Sequence, residues 1–334
     1  MRIEIVTTSN DDLKETGFGS YKACENILEA IDRMGHTAAL TVCQSLSDLD
    51  KIVKRNPGLV VLAVKYISIN GGDDIWLSEY FSENGIAYSG SSRETLRYDS
   101  DKVLAKSHLR TDGIKTANFF TAIPGQYKNE GDLPFTFPLF LKPTDAANGN
   151  GIDDLSLVNN LLEFEAKVLS LYEMYKQPVL VEEYLNGREF TVAIIKATNG
   201  VMIVSAIEIV PPESLIGLRI LGQKVKQEDS EDLKEIEGAQ LLSDVKSLAV
   251  AAFFSLGVRG YGRIDVKLDN NGQCYFMEAN LVPGMNFGSS YFPQACEIAN
   301  KLSYDQVINL MLEESISRVA VGKMQNKVLN QCSC

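Results

Sequence analysis

The most informative stretch of this sequence reads YGRIDVKLDNNGQCYFMEANLVPGMN, from Tyr261 to Asn286. Apolar and polar residues alternate on both sides of Asn271-Gly272, a dipeptide typical of a two-residue hairpin turn in which both positions have positive φ. The pattern therefore predicts a β-hairpin whose ladder pairs Asn270 with Gln273. In this register one face of the hairpin is apolar and belongs to the core: Ile264, Val266, Leu268, Tyr275, Met277 and Ala279.

The other face of the predicted hairpin collects side chains that could bind a metal ion. The register sets Asp265 opposite Glu278, and it sets Arg263 opposite Asn280. Two opposed carboxylates repel each other, and a lone pair of this kind is often only a solvated polar surface. Here an amide two residues beyond Glu278 completes a set of hard oxygen ligands that suits one or two Mg²⁺ ions. Because Mg²⁺ bridges carboxylates to substrate phosphates, the hairpin predicts a nucleotide site.

Two upstream segments are compatible with that nucleotide. Lys142 ends an apolar strand and precedes TDAANGNGIDD, whose Gly149 and Gly151 would let backbone N–H groups cradle phosphates. By itself, a Lys-Pro pair after a strand is more often only an exposed strand end. The segment VLVEEYLNGREFTV (Val179–Val192) adds three glutamates around a turn, and by themselves such acids are usually only solvated.

Composition excludes several functional classes. The 334 residues carry 44 acidic and 32 basic side chains, so the net charge of -12 argues against nucleic acid or an anionic membrane as partner. No apolar run approaches the ~20 residues that span a bilayer, and MRIEIVTTSN lacks the apolar core of a signal peptide. The six cysteines form no CxxC pair, which indicates a reduced, cytoplasmic protein, although Cys332 and Cys334 form a terminal CxC. No P-loop pattern GxxxxGK[ST] occurs, which argues against a P-loop kinase.

The periodicity of the chain predicts an α/β part followed by an α+β part. In the first hundred residues strands alternate with amphipathic helices, which favours βαβ units and a doubly wound parallel sheet. We expect one long helix over Arg93–Thr111, and from Pro138 onward mostly antiparallel strands. The polar segment Pro211–Glu237 shows little periodicity and is expected to be an irregular loop that acts as a lid.

Five motifs in fixed order resemble the ATP-grasp ligases, most closely the D-alanine–D-alanine ligase family. They read SDKVLAK, FLKP, VEEYLNGREFTV, GRIDV and FMEANLVPGMN, and the resemblance runs from about Gly71 to Pro293. It implies an ATP-grasp fold with an N-terminal doubly wound domain over residues 1–97, a small central domain over 98–186 and a C-terminal domain over 187–334. It also implies ATP, two Mg²⁺ ions with Mn²⁺ as an alternative, small carboxylate and amine substrates, and a homodimer.

The resemblance also assigns roles to residues of this chain. Arg263 would be the catalytic cation that stabilises the oxyanions of the reaction. The metal ligands would be Asp265, Glu278 and Asn280, the substrate residues Glu15, Gly284 and Ser289, and the ATP-binding residues Lys102, Lys142, Glu182, Glu183, Leu185 and Glu189. Within the last group the two lysines would contact phosphates, Glu182 the adenine amine, Leu185 the ring through its backbone, and Glu189 the ribose.

Departures from the family pattern concentrate in the segments that bind D-alanine. Glu15 lies in TTSNDDLKETGFGSYKA rather than in a GGxSxExxVS-like segment, and KYISINGGDD has Lys65 or Tyr66 where the family has His-Gly. The family's Lys-Tyr in the mobile loop has no clear counterpart, although Lys224 or Lys226 could supply the cation. The sequence therefore indicates a ligase whose substrate is an amino acid or a similar acid but not two D-alanines. The alternatives are a D-alanine–D-alanine ligase of cell-wall synthesis and a non-catalytic nucleotide-binding module.

Overall fold

The computed structural model describes residues 1–8, 17–68, 73–146, 149–198, 200–214 and 217–331, with side chains up to residue 318. Its first part alternates strands and helices: β1 (Arg2–Thr7), α1 (Tyr21–Arg33), β2 (Thr37–Val42), α2 (Leu46–Arg55), β3 (Leu59–Leu62), β4 (Tyr66–Ile67), β5 (Ile75–Trp76), α3 (Leu77–Glu83), α4 (Arg93–Ser100) and α5 (Lys102–Thr111). Strands β2, β1 and β3 form a parallel sheet in that order. The predicted βαβ arrangement of this part is therefore confirmed.

The prediction of one long helix over Arg93–Thr111 is wrong, because the helix is interrupted at Asp101. That residue has an extended conformation (φ -133°, ψ 99°), and its side chain accepts a hydrogen bond from the backbone N–H of Leu104. It therefore caps the second helix, α5, in the manner favoured by aspartate at a helix start. The break turns α5 so that its first residue, Lys102, lies beside the strand that carries Lys142.

The middle of the chain forms a separate antiparallel sheet with one covering helix. The elements are β6 (Phe119–Ala122), β7 (Leu139–Pro143), β8 (Leu157–Val158), α6 (Leu161–Tyr175) and β9 (Val179–Glu183). The strand order is β6-β9-β7-β8, and α6 packs its buried side chains, Phe164, Val168 and Leu171, against the sheet. This is the α+β character expected from the shift in periodicity after Pro138.

The last part contains a five-stranded antiparallel sheet between helices. Its elements are β10 (Glu189–Lys196), β11 (Met202–Val210), α7 (Gln223–Glu228), β12 (Asp232–Glu235), α8 (Ala239–Ser255), β13 (Tyr261–Leu268), β14 (Cys274–Asn280), α9 (Tyr291–Asn300) and α10 (Tyr304–Gln331). The strand order is β12-β11-β10-β13-β14. The irregular loop expected over Pro211–Glu237 is wrong in part, because α7 and β12 lie inside it. We call residues 217–237 the lid segment.

The hairpin of β13 and β14 exists, but its turn differs from the predicted one. The backbone N–H of Asp269 donates to the carbonyl of Gln273, so three residues form the turn, and of its Asn-Gly pair only Gly272 has positive φ (77°). A β-bulge then shifts the register between Asp265 and Val266. The shift restores the predicted pairs Asp265–Glu278 and Arg263–Asn280.

The bulge also changes which residues of β14 are buried. Cys274 and Phe276 are buried, whereas Tyr275 and Met277, which we expected in the core, are only half-buried. The side chain of Met277 instead lines a cleft between the middle and last sheets. On β13 the expected core residues Ile264, Val266 and Leu268 are all buried.

Candidate active site

A cleft of about 650 Å³ separates the middle sheet from the last sheet. Its walls come from α5, β7, β10, β13, β14 and the lid segment. The residues that line it are Lys102, Phe140, Lys142, Pro143, Ala146, Gly149, Ile152, Glu189, Ile220, Leu221, Lys226, Asp265, Lys267, Met277 and Glu278. Four lysines and three carboxylates therefore face one cavity, and five of these seven charges were predicted from the sequence as ATP or metal ligands.

The floor of the cleft is the hairpin, where Asp265 is held by donors on all sides. Arg263 forms a bidentate ion pair with Asp265, with Nε 3.0 Å from Oδ1 and Nη2 3.0 Å from Oδ2. Thr191 of the adjacent strand donates to Oδ1 at 2.7 Å, and the amide nitrogen of Asn280 donates to Oδ2 at 3.2 Å. Burial is the largest influence on the pKa of Asp265 and raises it, although Arg263 acts in the opposite direction.

Glu278 faces Asp265 across the hairpin but has a different electrostatic environment. Burial alone would raise the pKa of its carboxyl, yet nearby cations more than offset that effect and bring the pKa below its ordinary value. These cations are Lys102, Lys226, Lys142 and Arg263. Lys102 is placed by a 2.7 Å hydrogen bond to the carbonyl of Ala146, and its Nζ lies 3.8 Å from the Glu278 carboxylate. The expected repulsion between the two carboxylates is therefore countered by cations around Glu278.

Glu182 lies between two buried lysines on the wall of the middle sheet. Its Oε1 is 2.5 Å from Nζ of Lys106, and its Oε2 is 2.7 Å from Nζ of Lys142. Burial lowers the pKa of Lys106 to about 8, although Glu182 acts to raise it. For Lys142 the neighbouring carboxylates outweigh burial, and its pKa is raised. Lys106 did not stand out by itself in the sequence; its signal is its place at the end of SDKVLAK, one helical turn after Lys102.

A second, smaller cavity of about 270 Å³ lies beside the cleft, between β9 and the hairpin. Leu185, Met277 and Phe140 give it apolar walls, as expected for the place of a flat ring. Glu183 also borders it, but both of its carboxylate oxygens accept hydrogen bonds from Asn118, at 2.9 and 3.1 Å. Glu183 is thus tied to the chain before β6, and it fits the nucleotide site less well than the other predicted residues.

Glu189, which was predicted to bind the ribose, lines the larger cleft, and its partner Lys267 lines both cavities. Glu189 accepts a hydrogen bond from Lys267 at 2.9 Å. Lys267 therefore already satisfies one of the two carboxylate oxygens that would accept from ribose hydroxyls.

The lid segment covers one side of the cleft through a contact between backbones. The N–H of Gln223 donates to the carbonyl of Ile152 at 3.1 Å. Gly222 allows this approach, because a Cβ at that position would lie 2.6 Å from the Ile152 oxygen. Of the two candidate lysines in the lid segment, Lys226 lines the cleft, whereas Lys224 is exposed and pairs with Glu228 at 4.0 Å.

The predicted substrate residues are placed only in part. Glu15 lies outside the described residues. Gly284 follows the hairpin, and a Cβ there would lie 2.9 Å from the hydroxyl of Ser290. The hydroxyl of Ser290, the residue after the predicted Ser289, accepts from the backbone N–H of Asn286 at 2.8 Å. Substrate binding by Ser289 stays a prediction.

Lys65, which with Tyr66 lies near the predicted place of the family's His-Gly, is buried. Its Nζ donates to Asp99 at 2.7 Å, and the other oxygen of Asp99 accepts from the backbone N–H groups of Leu281 and Val282. These two amides follow Asn280 directly. Asp99 and Lys65, both from the first part of the chain, therefore hold the backbone of the loop that follows the candidate metal ligands.

The donor set on the hairpin fits a magnesium ion. Asp265, Glu278 and Asn280 offer two carboxylates and an amide, which are the hard oxygen ligands this ion prefers. Asn280 uses its amide nitrogen in the bond to Asp265, so its amide oxygen remains for a cation. Asp265 pairs with Glu278 and Arg263 pairs with Asn280, as the prediction required, while metal binding itself stays a prediction.

Among the described residues, no helix is long and apolar enough to cross a membrane.

Comparisons with known proteins identify the family. The sequence profile of the family described as "D-ala D-ala ligase C-terminus" matches residues 109–313. The protein y4sG of Sinorhizobium fredii is 30% identical over 232 residues, which are 69% of this chain and 66% of that protein. D-alanine–D-alanine ligase B of Clostridium perfringens is 26% identical over 296 residues, 88% of this chain and 92% of that one.

The fold agrees with these sequence matches. A crystal structure of D-alanine–D-alanine ligase from Bacillus anthracis, complexed with ATP, superposes with a TM-score of 0.75 at 22% identity and covers 96% of this chain and 99% of that chain. The likeness confirms the predicted ATP-grasp fold. The chain therefore belongs to the D-alanine–D-alanine ligase family, whose members are ATP-grasp ligases that form carbon–nitrogen bonds.

Proposed function

We propose that this protein is an ATP-dependent carboxylate–amine ligase that works through an acyl phosphate and releases ADP and phosphate. The observation that carries the proposal is the arrangement of Arg263, Asp265, Glu278 and Asn280 on one hairpin at the floor of a lysine-lined cleft. A module that only bound nucleotide would not need a buried arginine between the metal ligands. Retention of that arginine therefore supports an enzyme over a binding module.

The cleft residues divide the work of nucleotide binding. Lys102, Lys142 and Lys226 supply positive charge for the phosphates, and Leu185 and Met277 offer apolar contact to the base. Glu182 would accept from the adenine amine, since Lys106 and Lys142 keep it ionised. Magnesium, held by Asp265, Glu278 and Asn280, would neutralise phosphate charge and align the γ-phosphoryl group.

The chemical steps then depend on position and charge. The acid's carboxylate attacks the γ-phosphorus and ADP leaves, which gives an acyl phosphate. The amine attacks the acyl carbon, and a tetrahedral oxyanion forms before phosphate leaves. Arg263 would be the fixed cation near this carbon: its Nε–H and one Nη2–H stay paired with Asp265, and the remaining N–H groups of the guanidinium would donate to the oxyanion.

The test is a phosphate-release screen with ATP and Mg²⁺ across pairs of D- and L-amino acids and small acids. Arg263→Met should lose about 10²–10³ in turnover while it still binds ATP. Arg33→Met is a matched control, because Arg33 forms a similar two-pronged pair with Asp305 on the surface. Formation of AMP and pyrophosphate in place of ADP and phosphate would overturn the mechanism.

We further propose an amino acid or a similar acid, other than two D-alanines, as substrate. The support is the change of the segment around Glu15 and of the segment KYISINGGDD, where the family has His-Gly and this chain has the buried Lys65–Asp99 pair nearby. The second candidate is D-alanine–D-alanine ligase activity, which the names of several relatives carry. If the first candidate is right, D-alanine alone should be a poor substrate, and rapid D-alanyl-D-alanine synthesis would decide for the second candidate.

The domain boundaries 1–97, 98–186 and 187–334 remain part of this proposal, as does a homodimer in the cytoplasm. The four sheets of the described residues fall inside these three ranges, two of them in the first range. Light scattering of the purified chain would measure its oligomeric state.

A further inference from the structure

Tyr291, the first residue of α9, lies between the lid segment and the catalytic arginine. Its ring is buried, and it packs in a small apolar cluster with Ile209 and Leu221, against which Val225 and Leu233 also pack. Three of those four residues belong to the lid segment, so the aromatic ring is the surface on which the lid rests.

The polar end of Tyr291 also contacts the lid segment. Its hydroxyl donates a hydrogen bond to the carboxylate of Glu231, which lies between α7 and β12. Burial raises the pKa of the tyrosine, and Glu231 raises it further, so the hydroxyl remains a donor at neutral pH. The lid is therefore attached to α9 through both apolar contact and a charge-assisted hydrogen bond.

Two cations of the cleft region, Arg263 and Lys226, lie over the Tyr291 ring. The Arg263 guanidinium carbon lies 5.4 Å from the ring centroid, and Nζ of Lys226 lies 5.9 Å from it. An aromatic face attracts cations within about 6 Å, and it does so more strongly where water is excluded. The Tyr291 side chain thus contacts Glu231 and Lys226 of the lid segment and also Arg263.

We propose that Tyr291 is a positioning residue that couples closure of the lid segment to the placement of Arg263. With the lid closed, Glu231 and Lys226 fix the ring, and the ring supports the guanidinium in the position where the oxyanion develops. With the lid open, the ring loses its contacts with Glu231, Leu221 and Lys226, and Arg263 loses a fixed support. The inference rests on the proposed ligase function, because it assigns Arg263 its role in the reaction.

Two variants separate the hydroxyl from the ring. Tyr291→Phe removes the bond to Glu231 and keeps the ring beneath Arg263, whereas Tyr291→Leu removes both. Glu231→Ala deletes the acceptor on the lid from a partly exposed position, so it tests the same bond without change to the core. Tyr80→Phe is the matched control, because Tyr80 donates to Asp50 at 2.6 Å far from the cleft.

The first measurement is tryptic cleavage of the lid segment, after Arg219, Lys224, Lys226 and Lys234, with and without Mg²⁺ and a non-hydrolysable ATP analogue. The analogue should slow cleavage of the wild type and of Tyr80→Phe about tenfold or more. Tyr291→Phe and Glu231→Ala should lose about tenfold or more of that protection, the effect of one hydrogen bond to a charged group. Equal protection in all four proteins would refute the coupling, as would a lack of protection in the wild type.

The second measurement is the split between kcat and KM in phosphate release. Tyr291→Leu should lose about tenfold or more in kcat, a larger factor than the rise in its KM for ATP, whereas a general loss of structure would change both by similar factors. Wild-type kcat in Tyr291→Leu would overturn the role assigned to the ring. If instead no acid–amine pair releases phosphate, the ligase proposal fails, while the protease experiment still tests the link between Tyr291 and the lid.

Discussion

Replacement of Glu278 by glutamine should lower the thermal stability of the protein without metal or nucleotide. The sequence by itself suggests the opposite, because removal of one of two facing carboxylates relieves repulsion with Asp265. In the structure, however, the Glu278 carboxylate is surrounded by cations, and its pKa lies below the ordinary value despite burial. The ionised side chain is therefore net stabilised in the folded protein, and glutamine would lose that stabilisation.

The magnitude follows from the distances and the burial. Lys102 lies 3.8 Å from the carboxylate, and a pair at that separation attracts by about 4 kcal/mol at an effective dielectric constant of about 20. Loss of hydration and the charge of Asp265 oppose that attraction. A net loss of about 1–3 kcal/mol is the usual range for an interaction with a charged group. The unfolding entropy of 334 residues is about 0.7 kcal/mol/K, so a loss of about 2 kcal/mol would lower the melting temperature by about 3 °C.

The assay is calorimetric unfolding in EDTA, followed by ATP turnover with Mg²⁺. Glu79→Gln is the control, because Glu79 pairs with Arg93 at 2.5 Å but both side chains are about 40% exposed. Exposed pairs contribute about 0–1 kcal/mol, so this variant should melt close to the wild type. Glu278→Gln should also lose nearly all turnover, because one anionic metal ligand is gone.

Two results would refute this reasoning in different ways. A melting temperature of Glu278→Gln equal to or above that of the wild type would show that repulsion with Asp265 outweighs the lysines. Wild-type turnover in the same variant would remove Glu278 from the metal site, whatever its effect on stability.

Two other predictions concern the walls of the cleft. Native Lys106 loses its proton near pH 8, whereas in the unfolded chain it keeps the proton to about pH 10.5, so the unfolded chain binds more protons between these values. Denaturant titrations should therefore show the free energy of unfolding of the wild type rising relative to Lys106→Met by roughly 2–3 kcal/mol over that range. The exposed variant Lys115→Met should show no such difference from the wild type. Gly222→Ala places a Cβ 2.6 Å from the Ile152 oxygen, so it should raise KM for ATP about fivefold or more. Gly131→Ala, in open space, should leave KM unchanged, and an unchanged KM in both variants would contradict the lid contact.

The sequence predicted correctly that Asp265 pairs with Glu278, but it did not predict the pairs between these residues and the hairpin turn. A two-residue turn without a bulge and a three-residue turn with a bulge both set Asp265 opposite Glu278. The structure has the second, in which Phe276 is buried and its backbone N–H donates to the carbonyl of Lys115 at 2.9 Å. Residues 115–116 are far from the hairpin in sequence, so local turn preferences contain no signal for this choice.

The same limit explains the other differences from the predictions. The ion pair between Lys106 and Glu182 joins residues 76 positions apart, and nothing at either position alone indicates it. In the lid segment, β12 exists because it pairs with β11, and its own sequence, DLKE, has neither the apolar alternation nor the β-branched residues of a strand. Where the secondary structure of a short polar segment depends on a tertiary partner, the sequence of that segment has no periodicity that predicts it.

The β-bulge in the hairpin has a practical consequence for engineering this enzyme. Residues between the bulge and the turn follow one register, and the candidate metal ligands follow another. We expect a peptide tag or a fluorophore at the exposed Asn271 to disturb the outer register more than the pairs Asp265–Glu278 and Arg263–Asn280. The hairpin turn is therefore the place to test a reporter close to the candidate active site.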